Sequence, residues 1–149
     1  MRKEDLLWKT VFFCQIIAGK IPSTKVYEDD TVLAFLDISQ ATKGHTLVVP
    51  KRHVPDIYAY DTELAAAVFA RLPKIARAIK ASDPAIQGLN ILNNNGELAY
   101  QSVFHSHIHL IPRYSADDDF NIHFGDHSAQ YDAAALEQVA ASIRAKVVD

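Results

Sequence analysis

The chain has 149 residues, 49% of them hydrophobic, with 15 basic and 18 acidic side chains and a formal charge of −3. That length and apolar content suffice for one domain with its own core, and the near balance of charge, without any run of Lys or Arg, argues against a nucleic-acid polymer as partner. The lone cysteine, Cys14, excludes an intramolecular disulfide framework and any zinc site that needs two cysteines from one chain.

The N-terminal stretch MRKEDLLWKTVFFCQIIAGK is interrupted by Glu4, Asp5, Lys9 and Gln15, so it lacks a signal-peptide core and cleavage pattern. No apolar stretch approaches the roughly 20 residues of a membrane span. A cytoplasmic protein without a membrane partner is the expectation. Residues 3 to 18 predict a helix, with Gly19 as stop signal and Pro22 beyond it. Its apolar side is made by Leu6, Val11, Phe12, Phe13, Ile16 and Ile17. KVYEDDTVLAFLDIS then predicts a hairpin turning at Glu28, Asp29 and Asp30, and HTLVVP, residues 45–50, a third strand closed by Pro50.

From Asp61 to Ala81 the period becomes helical, with Leu64, Val68, Leu72, Ile75 and Ile79 three or four apart and Asp61 as N-cap. Pro73 is expected to kink or split this helix. LNIL and SVFHSHIHLIP predict a second hairpin around the polar loop NNNGELAYQ. A loop rich in aspartate follows, then a terminal helix over residues 132–148. Short turns between strands and inserted helices imply an α+β domain, an antiparallel sheet of about five strands with helices packed on it.

FHSHIHLIPR places three of the seven histidines at alternate positions. On an extended strand, residues two apart share a face, so His105, His107 and His109 are expected to point one way and Ser106, Ile108 and Leu110 into the core. By composition such a run arises roughly once in 10,000 windows. Three readings stand: a merely polar strand face, a metal site of converging imidazoles, and nucleophilic catalysis at phosphorus by a neutral imidazole. Asn94, Gln101 and Ser102 precede the triad and supply neutral donors of the kind that hold phosphate oxygens. No carboxylate follows closely enough to suggest a mixed metal shell.

QSVFHSHIHLIPR, with VLAFLDISQATKGHTLVVPKRH and IPSTKVYEDD upstream, resembles the histidine triad (HIT) family over most of residues 12–113. Residues 114–149 add a loop and helix to this single domain. Ser106 departs from the usual hydrophobic residue there. The resemblance implies a nucleotide-binding α+β fold that commonly dimerises, and a hydrolase or transferase acting at the α-phosphate of a small nucleotide substrate such as a phosphoramidate or dinucleoside polyphosphate, with no cofactor; the alternative is a nucleotide-binding or adaptor protein with little turnover. It implies His107 as nucleophile, flanked by His109 and His105, with His45 supporting the reacting ring; His45 alone could equally be a satisfied strand-start residue.

By the same resemblance Asp37 would bind the ribose hydroxyls, although it also reads as a turn residue before Ser39. Phe12, Phe13, Ile16, Phe35 and Ile38 would form the slot for the base, although each could be plain core. Asn94 and Ser102 match phosphate-contacting positions, Gln101 more weakly. Some relatives build a structural zinc site from C-x-x-C, a histidine after a PK dipeptide and the first triad histidine. Here Val11 replaces the first cysteine, leaving Cys14, His53 and His105, so no structural zinc is expected. His123 and His127 read either as exposed loop residues or as a rim that selects substrate. Lys51, Arg52 and Arg113 either steer phosphate or are merely solvated.

Overall fold

The structure, a computed structural model, describes residues 2–148, with the side chains of Asp5, Leu6, Trp8 and Lys9 outside the described residues. The expectation for Leu6 falls there. The described residues form helices α1 (Lys3–Ile17), α2 (Thr62–Ser82) and α3 (Ala133–Arg144), and strands β1 (Lys25–Glu28), β2 (Val32–Leu36), β3 (Thr46–Pro50), β4 (Gly88–Leu92) and β5 (Ile108–Arg113). All neighbouring strands pair antiparallel in the order β1-β2-β3-β5-β4. The α+β architecture expected from the sequence is the one observed.

Local chemistry explains the element boundaries. Gly19 takes φ +75°, outside the helical range, and its N–H donates to Ile16 O at 3.0 Å, closing α1. In the first hairpin Asp29 Oδ1 accepts from the N–H groups of Thr31 and Val32 at 2.8 and 2.9 Å, an aspartate turn that sets the β1–β2 register. Asp61 caps α2 by accepting from Leu64 N–H at 2.7 Å.

Pro73 does not split α2, which runs through it as one helix. A proline inside a helix costs about 3 kcal/mol. The buried side chains of Leu64, Val68, Leu72, Ile75 and Ile79 lie on both sides of it, and burying each contributes about 1.5–3 kcal/mol, so packing outweighs the local penalty.

Period-2 alternation sorts the sheet into two faces. Val32, Ala34, Val48, Ile108 and Leu110 form one core cluster with the α2 stripe, while Leu33, Phe35, Leu47 and Val49 form another with Phe13 and Ile16 of α1. Because Ile108 and Leu110 face α2, His109 between them must face α1. The triad therefore opens onto the α1 side.

One expectation needs correction: the three histidines do not share a strand. β5 begins at Ile108, and the chain bends through Val103–His105. Ser106 N–H leaves the ladder to donate to Val54 O at 2.7 Å, and Asn93 Nδ2 donates to His107 O at 2.9 Å. These contacts with other loops replace the sheet pairing. Ser106 still points away from the triad side, its Oγ accepting from Tyr60 OH at 3.1 Å.

Beyond β5, residues 114–132 lead to α3, where Leu136, Val139 and Ile143 are exposed and no residue is buried. His123 and His127 are exposed, as the simpler reading of them requires. No helix among the described residues is long and apolar enough to cross a membrane.

Candidate active site

A cavity of about 540 Å³ opens between α1, the β1–β2 side of the sheet and the segment before β5, within the usual range for small-molecule sites, roughly 300–1,000 Å³. Phe12, Phe13, Ile16, Phe35 and Ile38 all line it. Phe13, Ile16 and Phe35 are also buried in the core cluster, so for them both readings hold, whereas Ile38 is fully exposed at the edge. Phe13 meets His107 edge-on, with ring centroids 5.0 Å apart, and Phe35 at 5.7 Å. Ile21, Leu47 and Val103 complete the apolar wall; sequence reasoning missed them because nothing local separates a wall residue from core.

His107 and His109 line the same cavity, with ring centroids 5.1 Å apart. His107 Nδ1 lies 2.9 Å from His105 O. A carbonyl can only accept, so Nδ1 carries the proton and Nε2 keeps its lone pair. A second chain of bonds assigns His109. Ala41 N–H donates to His45 Nδ1 at 3.3 Å, so the neutral His45 ring holds its proton on Nε2, which lies 2.9 Å from His109 Nδ1. His109 must then accept at Nδ1 and carry its own proton on Nε2. The site holds one imidazole with a free lone pair and another with an N–H.

Burial keeps these rings neutral, because charging an imidazole away from water is unfavourable. It lowers His109 to about 4, helped by repulsion from His107 and His45. It lowers His107 as well, against its bond to the His105 carbonyl and the attraction of Asp37. His45 is lowered by burial despite Asp37, whose Oδ2 is 3.9 Å from His45 Nε2. His105 is lowered to about 4 for the same reason, with the Pro50 carbonyl opposing.

Asp37 lines the cavity and is also the expected turn residue: Oδ1 accepts from Ser39 N–H at 2.8 Å and Ser39 Oγ–H at 2.6 Å. Burial works to raise its carboxyl, but the Ser39 bonds and the nearby imidazoles prevail and hold it below the ordinary value. Ser102 lines the cavity, exposed. Gln101 is placed differently from expectation. It is buried, Nε2 donating to Pro55 O and Val103 O while Oε1 accepts from Gly96 N–H, so it holds the loop and has no donor left for a phosphate. Asn94 is not among the cavity-lining residues, and its Nδ2 donates to Tyr100 O at 3.5 Å.

His105 is the triad member that turns elsewhere: it is not part of the cavity wall, and its Nε2 donates to Pro50 O at 2.7 Å. Its Nδ1 meets His53 Nδ1 at 3.0 Å and Cys14 Sγ at 3.5 Å. Asp37, His45 and His109 also converge closely enough to be weighed as metal ligands, but His45 and His109 already bond to each other. The basic residues have partners within the chain: Lys51 with Glu28, Arg52 with Asp61, Arg113 with Asp118.

Two positioning residues went unnoticed in the sequence. Gln40, at φ +45°, donates from Nε2 to Asp37 O and His45 O and accepts from Gly44 N–H, bracing the loop that carries both site residues. Asn93 holds the His107 carbonyl. Only the run of asparagines at 93–95 hinted at the second.

A five-stranded antiparallel sheet carrying paired neutral imidazoles beside an apolar cavity defines a histidine-triad protein. The HIT domain family model matches residues 18–116, and the chain belongs to the HIT family. Protein hit of Bacillus subtilis (strain 168) is 56% identical over 131 residues, covering 88% of this chain and 90% of that protein. The crystal structure of a HIT family member from Bacillus subtilis superposes with a TM-score of 0.89 at 53% identity, covering 92% of this chain and 96% of that one. Adenosine 5′-monophosphoramidase hnt1 of Schizosaccharomyces pombe is 42% identical over 101 residues, covering 68% of this chain and 72% of that protein.

Proposed function

We propose that this protein hydrolyses or transfers nucleotides at the α-phosphate through a nucleotidyl-histidine on His107, with nucleoside phosphoramidates or dinucleoside polyphosphates as substrates. The observation that supports this is the bond from Nδ1 of the cavity-lining His107 to the His105 carbonyl, which leaves Nε2 as an unprotonated nucleophile. The phosphoramidase name of the Schizosaccharomyces pombe relative supports the substrate class.

In the first step His107 Nε2 attacks the α-phosphorus as its bond to the leaving group breaks. His109 Nε2–H hydrogen-bonds to the departing nitrogen or oxygen, which takes its proton from solvent, and the His45–His109 bond keeps that N–H correctly aimed. Water then attacks the nucleotidyl-histidine, its oxygen bonding to phosphorus as the P–N bond to His107 Nε2 breaks and its proton passing to solvent, and the nucleoside monophosphate is released. Phe13, Ile16 and Phe35 offer the base an apolar slot, and Asp37 accepts from the ribose hydroxyls. Two copies of the chain pair along β4, an edge strand without a charged residue and with Ile91 exposed.

The test is turnover of an adenosine phosphoramidate by wild type and His107→Ala, with mass spectrometry of the acid-quenched reaction. Wild type should turn over and carry an added nucleotidyl mass, and the variant should do neither. Unchanged turnover in the variant, or activity abolished by chelator and restored by Zn²⁺ or Mn²⁺, would remove the covalent histidine reading.

A further inference from the structure

The loop between β3 and α2 takes no part in the chemistry above, yet it grips the bend that carries His107. Residues 54–60 make four hydrogen bonds to residues 95–106: Val54 O accepts from Ser106 N–H at 2.7 Å, Pro55 O accepts from Gln101 Nε2 at 2.6 Å, Ile57 N–H donates to Asn95 Oδ1 at 2.7 Å, and Tyr60 OH donates to Ser106 Oγ at 3.1 Å. The first three use the backbone of the loop, which any sequence carries. The last needs a tyrosine at 60 and a serine at 106.

Both ends of that bond are constrained. Ser106 is buried, in place of the usual hydrophobic residue, and a hydroxyl there without a partner would be unfavourable. Tyr60 packs part-buried against the core cluster that includes the α2 stripe, its ring centroid 6.3 Å from that of Phe69. Burial raises its hydroxyl above the ordinary value, so it stays protonated and remains a donor.

The consequence lies in the neighbouring peptide. The N–H of Ser106 and the carbonyl of His105 belong to one planar trans unit and point in opposite directions. With the N–H on Val54 O, the carbonyl is aimed at His107 Nδ1, 2.9 Å away, and it is this carbonyl that places the His107 proton. Swinging the unit requires Ser106 to turn about its Cα, and the Tyr60 bond to its side chain resists that turn. Tyr60 does not line the cavity, so it acts from behind the site.

We propose that Tyr60 is a positioning residue: through Ser106 it holds the His105–Ser106 peptide in the orientation that keeps the His107 proton on Nδ1 and Nε2 free. Its effect on rate rests on His107 being the nucleophile, whereas the place of the proton is a property of the free protein.

¹⁵N NMR of the histidine rings in the whole free protein, at a pH where they are neutral, reads that proton directly, with the His107 signals assigned by their loss in His107→Ala. Wild type should show His107 protonated on Nδ1 alone. Tyr60→Phe, which keeps the packed ring, should show a mixture of Nδ1-H and Nε2-H forms. Its kcat on an adenosine phosphoramidate should fall about three- to tenfold with KM unchanged, the effect expected of one hydrogen bond. Ser106→Ala should give the same defect, and the double variant no more than either alone, because both remove one bond. His107 remaining a single Nδ1-H tautomer in both variants, defects that add in the double variant, or lowered thermal stability with tautomer and kcat unchanged would each overturn the proposal. A wild type that carries the His107 proton on Nδ1 yet leaves the phosphoramidate intact would remove the nucleotide reading alone, and the tautomers of the two variants would still decide the role of Tyr60.

Discussion

His45 Nε2 and His109 Nδ1 stand 2.9 Å apart, joining the loop before β3 to the neighbouring inner strand β5 across 64 residues of sequence. Replacing His45 with Ala removes the donor that fixes the His109 proton on Nε2 and leaves a part-buried nitrogen unsatisfied. Losing such a bond costs about 1–3 kcal/mol, so kcat should fall roughly ten- to a hundredfold. The defect should be larger for substrates with poor leaving groups, and KM should change little. Steady-state kinetics over a series of leaving groups measures this, and a uniform defect would contradict the assignment of His109 as the hydrogen-bond donor to the leaving group.

Activity should resist mild acid. The proposed nucleophile must be neutral, and burial lowers His107 below the ordinary imidazole value of 6.5. The rate should stay flat as pH falls through 6.5 and decline only below it. A pH profile of single-turnover rates checks this; an acid limb centred at 6.5 or higher would mean a more solvated ring.

Stability should follow pH with the sign set by His109, lowered from 6.5 to about 4 by burial. Between those values the unfolded chain binds a proton that the folded chain does not, so stability increases with pH across the window. The contribution is fully present above 6.5 and is lost progressively as pH falls toward 4. Urea unfolding in chelator at pH 7.5, 6 and 5 should show the midpoint falling, and His109→Gln should make that dependence shallower, with the lowered His105, His107 and His45 keeping the remainder.

Gly44 precedes His45 at φ +93°, and a Cβ placed there would meet Pro112 Cγ at 3.3 Å. A side chain in that backbone region costs on the order of 1–3 kcal/mol. Gly44→Ala should therefore lower Tm by roughly 3–8 °C and reduce kcat by shifting His45. Calorimetry with kinetics on the same sample tests both.

Asp37→Asn keeps an oxygen for the Ser39 turn but removes the charge that would receive ribose hydroxyls. KM for a ribonucleoside phosphoramidate should rise about tenfold, the effect of weakening a charge-assisted hydrogen bond. KM for the 2′,3′-dideoxy analogue should be unchanged. An equal loss on both substrates would place the role of Asp37 in the turn alone.

Much of this molecule follows from local pattern. Hydrophobic pattern marked β2, β3, β5 and α2, because an element forms where one face can be buried. The same alternation placed Ile108 and Leu110 in the core and thereby His109 on the other side. Asp61 and Gly19 marked helix ends because caps and left-handed turns are chemistry of neighbouring residues. Even so, the α2 stripe carried the helix through Pro73, where the local signal alone suggested a break.

Tertiary structure decided what depends on atoms meeting across long stretches of chain. The Val54 carbonyl and the Asn93 side chain pull His105 and His107 out of the β-ladder, so the triad divides: His107 and His109 face the cavity while His105 turns to Cys14 and His53. Gln101, chemically fit to hold a phosphate, has both donors occupied by Pro55 and Val103. The protons on His107 and His109 are placed by the His105 carbonyl and by His45, respectively. A side chain's type is written in the chain, but which of its lone pairs remains free is settled only by the groups that folding brings within hydrogen-bond distance.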